Sequence, residues 1–138
     1  MKKDKPNVYH FSVYGKPRPK ERARKSKHLK RTKDGKKLYH PFYTPKKTGS
    51  YEDTIRKTFL SLYKRLNDAD HDWRLVVYVD MRAQRIDLDN LAKVVMDALQ
   101  KFLYANDRQI TELSVYSSFI AKDMKERITI YAEQLGER

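Results

Sequence analysis

Cysteine is absent from the 138 residues. Its absence excludes disulfides and thiolate metal sites, and a reducing, cytoplasmic setting is the compatible expectation. Long apolar runs are missing as well. Nothing approaches the roughly 20 consecutive apolar residues of a membrane-spanning helix, so no membrane partner is expected. The opening Met1-Lys2-Lys3-Asp4-Lys5-Pro6-Asn7 is charged and lacks the apolar stretch of a signal peptide. No internal repeat or linker divides the chain. His10, His28, His40 and His71 show no ligand spacing, which argues against histidine-centred chemistry.

Acidic residues are scarce relative to basic ones, 18 against 31, and the formal net charge is +13. Such a balance predicts attraction to polyanions, most often nucleic acid. The charge is localised. Between Lys16 and Lys37 twelve lysines and arginines face only Glu21 and Asp34, so this stretch holds +10 of the total. Lys16, Arg18, Lys20, Arg22, Arg24, Lys25 and Lys27 are the candidate DNA-binding residues. A bare solvated loop is the plainer reading of such a run. The aromatic patch Tyr39-His40-Pro41-Phe42-Tyr43 follows, either to stack unpaired bases or to pin the loop to the core.

Length and a hydrophobic content of 39% fit one domain over 1–138 with a modest core, carrying a basic loop at about 16–47. Tyr9 to Tyr14 alternates, with Tyr9, Phe11 and Val13 on one side, which predicts a strand. Ser50 reads as a helix N-cap, followed by the apolar stripe Tyr51, Ile55, Phe59, Leu62 and Leu66. Trp73 to Ala83 predicts a central strand, because apolar residues occur on both faces. Asp89 to Leu103 is helical in pattern, with Leu91, Val95, Ala98, Leu99 and Phe102 on one side. Asp89, Asn90, Lys93, Asp97 and Gln100 fall opposite. Gln109 to Ala121, with Leu113, Val115 and Phe119 on one face, and Arg127 to Glu133 predict two strands joined as a hairpin. The order strand, helix, strand, helix, strand, strand implies a small α/β (α+β) domain: a mixed sheet of about four strands with two main helices packed on it.

The acidic residues that matter lie in Asp87-Leu88-Asp89-Asn90-Leu91-Ala92-Lys93. Asp87 stands at a strand-to-helix corner, Asp89 in the first helical turn, and Lys93 one turn further on the same face. Asp107 lies beyond the helix, and would come near Asp87 if the next strand paired beside the Leu75–Ala83 strand. Three carboxylates brought together repel unless a cation intervenes, and hard divalent cations such as Mg²⁺ prefer oxygen ligands. Such a metal activates water and neutralises charge on a phosphodiester. Lys93 would stabilise the phosphate or the leaving oxygen. The plain alternative is a capped helix: Asp87 as N-cap, Asp89 favoured by the helix dipole, Asp89–Lys93 an ordinary salt bridge, and Asn106-Asp107 a turn.

The blocks Asp87-Leu88-Asp89-Asn90-Leu91-Ala92-Lys93, Asp97-Ala98-Leu99 and Asn106-Asp107-Arg108-Gln109-Ile110, with Gly15-Lys16-Pro17-Arg18-Pro19-Lys20 after the first strand, resemble the signature of the RusA family of Holliday junction resolvases. The resemblance spans nearly the whole chain. It implies a small RusA-like α/β homodimer that cuts four-way DNA junctions by paired symmetric nicks in recombination and repair. It also implies dependence on Mg²⁺ or Mn²⁺ and products carrying 5′-phosphates. Asp87, Asp89 and Asp107 match the family's metal-binding and catalytic acids, and Lys93 matches its essential lysine. Asn90 and Asp97 are supporting residues. Asn106 departs from members that carry two acids in the last block, but Asp107 keeps the catalytic position. A general branched-DNA nuclease, and a non-catalytic nucleic-acid-binding module, are the alternatives.

Overall fold

The structure, a computed structural model, describes residues 7–19, 24–25, 30–31, 33–35, 38–39, 42–43, 46–82 and 85–138. Strand β1, Val8–Tyr14, alternates as its sequence predicts: Tyr9, Phe11 and Val13 are buried and their neighbours face outward. The basic segment that follows folds back on itself as two short antiparallel ladders, one inside the other. β2, Arg24–Lys25, pairs with β5, Phe42–Tyr43; β3, Lys30–Arg31, pairs with β4, Leu38–Tyr39. Gly35, at φ 71°, stands in the turn between β3 and β4.

Helix α1 spans Lys46–Leu62. It begins before Ser50, which is therefore an interior helical residue rather than the expected cap. The buried stripe is Tyr51, Ile55 and Phe59; Leu62 is exposed, and Leu66 lies beyond the helix, half-buried. Tyr63 takes the place expected of Leu62, because its ring reaches Tyr9 edge-on with centroids 5.0 Å apart. Its hydroxyl donates to the carbonyl of His10 at 3.0 Å.

Strand β6, His71–Met81, is central, with Trp73, Leu75, Val77, Val79 and Met81 buried. Ala83, the expected last member of that face, lies outside the described residues. Helix α2 spans Leu88–Leu99 and stops at Gln100, four residues short of the expected end. Lys101 reverses the chain at φ 71°, and Phe102 to Tyr104 pack as a separate turn. β7, Ile110–Phe119, and β8, Arg127–Glu137, complete a four-stranded mixed sheet in the order β1-β8-β6-β7.

β7 and β8 do not form the expected hairpin. β7 runs parallel to β6, from Trp73 opposite Ile110 to Met81 opposite Phe119, and β8 runs antiparallel between β1 and β6. The physical reason lies in their faces. Ile128, Ile130 and Ala132 of β8 are buried and suit an inner strand, whereas Leu113 and Phe119 of β7 remain exposed on an edge. Both helices cover one face of the sheet, α1 against β1 and α2 against β7, and they pack on each other. The core is the apolar layer between them and the strands.

Among the described residues, no helix covers the second sheet face. A row of rings crosses it: His10 on β1, Tyr131 on β8, Tyr78 on β6 and Tyr116 on β7, with successive centroids 5.7, 5.7 and 5.4 Å apart. Ion pairs on this face join Arg74 to Glu112 and Glu133, and Arg127 to Asp80. Among the described residues, no helix is long and apolar enough to cross a membrane.

Candidate active site

The corner between β6 and α2 is built by Asp87. Its backbone is extended, and its carboxylate caps the helix: Oδ1 accepts from the Asn90 amide at 3.2 Å and Oδ2 from the Asn90 side-chain Nδ2 at 2.6 Å. One residue, Asn90, therefore binds both oxygens of Asp87. Each oxygen keeps a further lone pair, and the side chain is exposed. Asp89 follows in the first turn, also exposed. Two carboxylates and the positive end of α2 thus meet at one surface corner.

Lys93 and Asp97 continue the face of Asp89 at successive turns. Among the described residues no ion pair joins Asp89 to Lys93, so the ordinary salt bridge expected of a plain capped helix is not formed. The ammonium is exposed and available to an external anion. Beside the corner, Met81, Arg85, Ile86, Leu88, Ser117 and Phe119 line a groove of about 230 Å³.

Asp107 stands elsewhere. The strand after α2 does pair beside β6, as the expected approach to Asp87 required, but it pairs in parallel. The chain must therefore travel back along α2 before β7 can begin. Asp87 sits at the Met81 end of β6 and Asp107 near the Trp73 end. α2, 12 residues long, separates them by roughly 18 Å at about 1.5 Å per residue. Within one chain Asp107 does not join Asp87 and Asp89, and no cluster of three acidic or histidine side chains among the described residues could hold a metal.

Asp107 opens a single 3₁₀ turn, Asp107–Gln109. Asn106 caps it, its Oδ1 accepting from the Arg108 amide at 2.9 Å, while Gln109 Oε1 accepts from the Asn106 amide at 2.8 Å. Gln109 Nε2 donates to the carbonyls of Asp68 and His71 at 2.8 and 2.9 Å. Gln109 was not among the predicted site residues, although the Asn106-x-x-Gln109 spacing is that of a capping box. The Asn106 that departs from an acidic pair is thus a cap. Nearby, burial of Tyr104 pushes its phenol pKa well above the ordinary value, and the carboxylates of Asp107 and then Asp97 push the same way. Both acids therefore lie within electrostatic reach of one ring.

Under this turn, Asp68 binds three donors: Trp73 Nε1 at 2.9 Å, His71 Nδ1 at 3.0 Å and the Asp70 amide at 3.2 Å. Burial raises the Asp68 pKa, but the bonds from His71, Asp70 and Trp73 outweigh it and hold the carboxyl below its usual value. The hydrogen bond to Asp68 raises His71 in turn.

Of the candidate DNA-binding residues, Lys16 and Arg18 are exposed just after β1. Arg24 and Lys25 form β2; Lys20, Arg22 and Lys27 lie outside the described residues. The ladder register sets Arg24 opposite Tyr43, Lys25 opposite Phe42 and Lys30 opposite Tyr39, so basic and aromatic positions face each other along this arm.

No curated protein matches the chain. A protein-family comparison does: the model described as Endodeoxyribonuclease RusA matches residues 14–131. That span runs from the end of β1 to the middle of β8 and includes the Asp87 corner, Lys93 and Asp107. The chain belongs to the RusA family of endodeoxyribonucleases.

Proposed function

We propose that this protein is a divalent-metal-dependent endonuclease that resolves four-way DNA junctions as a homodimer, with each active site built from two chains. The observation that carries the reading is the separation of Asp87 and Asp89 from Asp107 by the length of α2. The family's acids stand at opposite ends of one sheet, and a two-fold partner running the other way brings one chain's Asp107 end to the other's Asp87 end. The sheet face that no described helix covers supports this. Its ion pairs set two arginines against three carboxylates in a chain of net charge +13, so it is not a polyanion-binding face. Four strands at about 4.8 Å spacing and about 30 Å length cover roughly 600 Å², near the size of one side of a standard interface.

The donor set fits Mg²⁺ or Mn²⁺. Asp87 and Asp89 are hard oxygen ligands in solvent contact, and one or two carboxylates with waters are what Mg²⁺ ordinarily takes. When bound, the ion supplies charge neutralisation at the phosphate and a more acidic water. Asp87, Asp89 and the partner chain's acid would hold it. Asn90 keeps the Asp87 carboxylate turned outward by its two bonds. Lys93, with no ion-pair partner in Asp89, meets the charge that develops on the phosphate or leaving oxygen. Lys16, Arg18 and the β2–β5 arm hold the junction's phosphates without reading bases. Two such sites related by a two-fold axis give paired nicks with 5′-phosphate ends, as recombination and repair require.

The test is cleavage of a synthetic four-way junction with and without Mg²⁺. Wild type is expected to cut only with the metal, and Asp89→Asn to bind but not cut. Junction cleavage by Asp89→Asn at the wild-type rate removes this site. Equal cleavage of flaps, forks and plain duplex replaces the junction resolvase with a general branched-DNA nuclease.

A further inference from the structure

Gln109 is 1% exposed and is the only buried polar residue among the described residues. A buried amide needs its hydrogen bonds satisfied, and all three bonds of Gln109 go to backbone groups. None serves another side chain. They bind the turn that bears Asp107 at its entrance, through the Asn106 amide, and fasten it to the 68–71 segment through the carbonyls of Asp68 and His71. The surrounding backbone repeats the stitch: Ala105 donates to the Asp68 carbonyl at 2.8 Å and Asp68 to the Leu103 carbonyl at 3.1 Å. The 68–71 segment is in turn held by the three donors on the Asp68 carboxylate. Asp107 thus rides on a short turn whose neighbours on both sides are tied down, while its own side chain stays half-buried at the surface.

We propose that Gln109 is a positioning residue for Asp107: its buried amide holds the turn in the one orientation that lets Asp107 complete the metal site, and so sets metal affinity without touching metal or DNA. The inference rests on the functional reading above. A ligand in a metal site tolerates only about 0.5 Å of misplacement, and loss of an outer partner typically weakens metal binding about 10- to 100-fold. A purely structural glutamine would change stability and leave metal affinity alone.

The experiment measures Mn²⁺ binding to the protein alone, by loss of the free ion's paramagnetic signal, for wild type, Gln109→Met and Asp107→Asn. Methionine keeps the volume and removes all three bonds. The expected result is Mn²⁺ binding at least about tenfold weaker in Gln109→Met, approaching Asp107→Asn, with junction binding in Ca²⁺ unchanged. Wild-type Mn²⁺ affinity in Gln109→Met, with affinity lost in Asp107→Asn, overturns the positioning role alone. Wild-type affinity in Asp107→Asn overturns the functional reading and the role of Gln109 with it. If Gln109→Met does not fold, Gln109→Glu decides: it keeps an acceptor for the Asn106 amide and removes the amide donor to the carbonyls of Asp68 and His71. A twofold or greater loss of Mn²⁺ affinity supports the proposal, and unchanged affinity overturns it.

Discussion

Mixing two inactive variants gives the sharpest test of a site shared between chains. Asp89→Asn removes a carboxylate from the Asp87 end of α2, and Asp107→Asn removes one from the other end, roughly 18 Å away by the rise of the helix. Each variant alone is expected to cleave at least about 10²-fold more slowly than wild type, the usual scale for losing a group that stabilises transition-state charge. In a mixed dimer one site combines both defects. The other combines the intact Asp89 of one chain with the intact Asp107 of its partner. Random exchange at equal concentrations puts about half the molecules in mixed dimers with one working site each, which restores about one quarter of the wild-type sites. The assay is cleavage of an end-labelled junction after the variants have been co-refolded. The product is a single nick, because each mixed dimer has only one competent site. If each chain instead held a complete site, every site in every dimer would lack one acid. Activity no greater than the sum of the separate variants therefore refutes the shared site, and paired cuts from the mixture would refute it equally.

Other perturbations bear on the remaining links. Lys93→Ala should slow cleavage by about 10²–10³-fold with junction affinity in Ca²⁺ unchanged; a loss confined to affinity would make Lys93 a phosphate contact only. Tyr131→Lys sets a charge in the middle of the aromatic row and should shift the protein to monomer in sedimentation, whereas a retained dimer moves the interface to another surface. Phe59→Ala opens a cavity in a fully buried position and should cost about 3–5 kcal/mol in chemical denaturation. The Asp68–His71 pair makes stability depend on pH. His71 titrates higher folded than unfolded, so its contribution is full below the ordinary histidine value and is lost as pH rises through the raised one. Asp68 titrates lower, so its contribution is full above the ordinary carboxylate value and is lost as pH falls through the lowered one. Melting temperatures should show wild type losing its advantage over His71→Gln as pH rises from about 6.5, and a constant difference would contradict the pairing.

The parts of the fold that were legible in the sequence are those whose faces differ chemically. β1, β6 and β8 announced themselves by alternation, because one side of each lies under helices. Asp87 was legible as a cap because the Asp-x-x-Asn spacing is local. The pairing of β7 was not legible. Neighbouring strands joined by a short polar segment ordinarily form a hairpin, and only the burial of Ile128 and Ile130 between β1 and β6 decides otherwise. The expected closeness of Asp107 to Asp87 failed for the same reason: strand direction is set by the whole sheet and not by the residues around either acid. Gln109 escaped notice because a glutamine carries no periodic signal, and its partners Asp68 and His71 lie 41 and 38 residues away.

Helix α2 also acts as a gauge block. Its 12 residues set the spacing between the two acidic ends of the chain, and in the proposed dimer they would set the distance between the two sites as well. One residue added within it would swing Asp97 and the turn beyond by about 100° relative to Asp89, and a whole turn would lengthen the block by about 5.4 Å. In the proposed dimer a change in the length of this helix would therefore move both sites relative to each other at once.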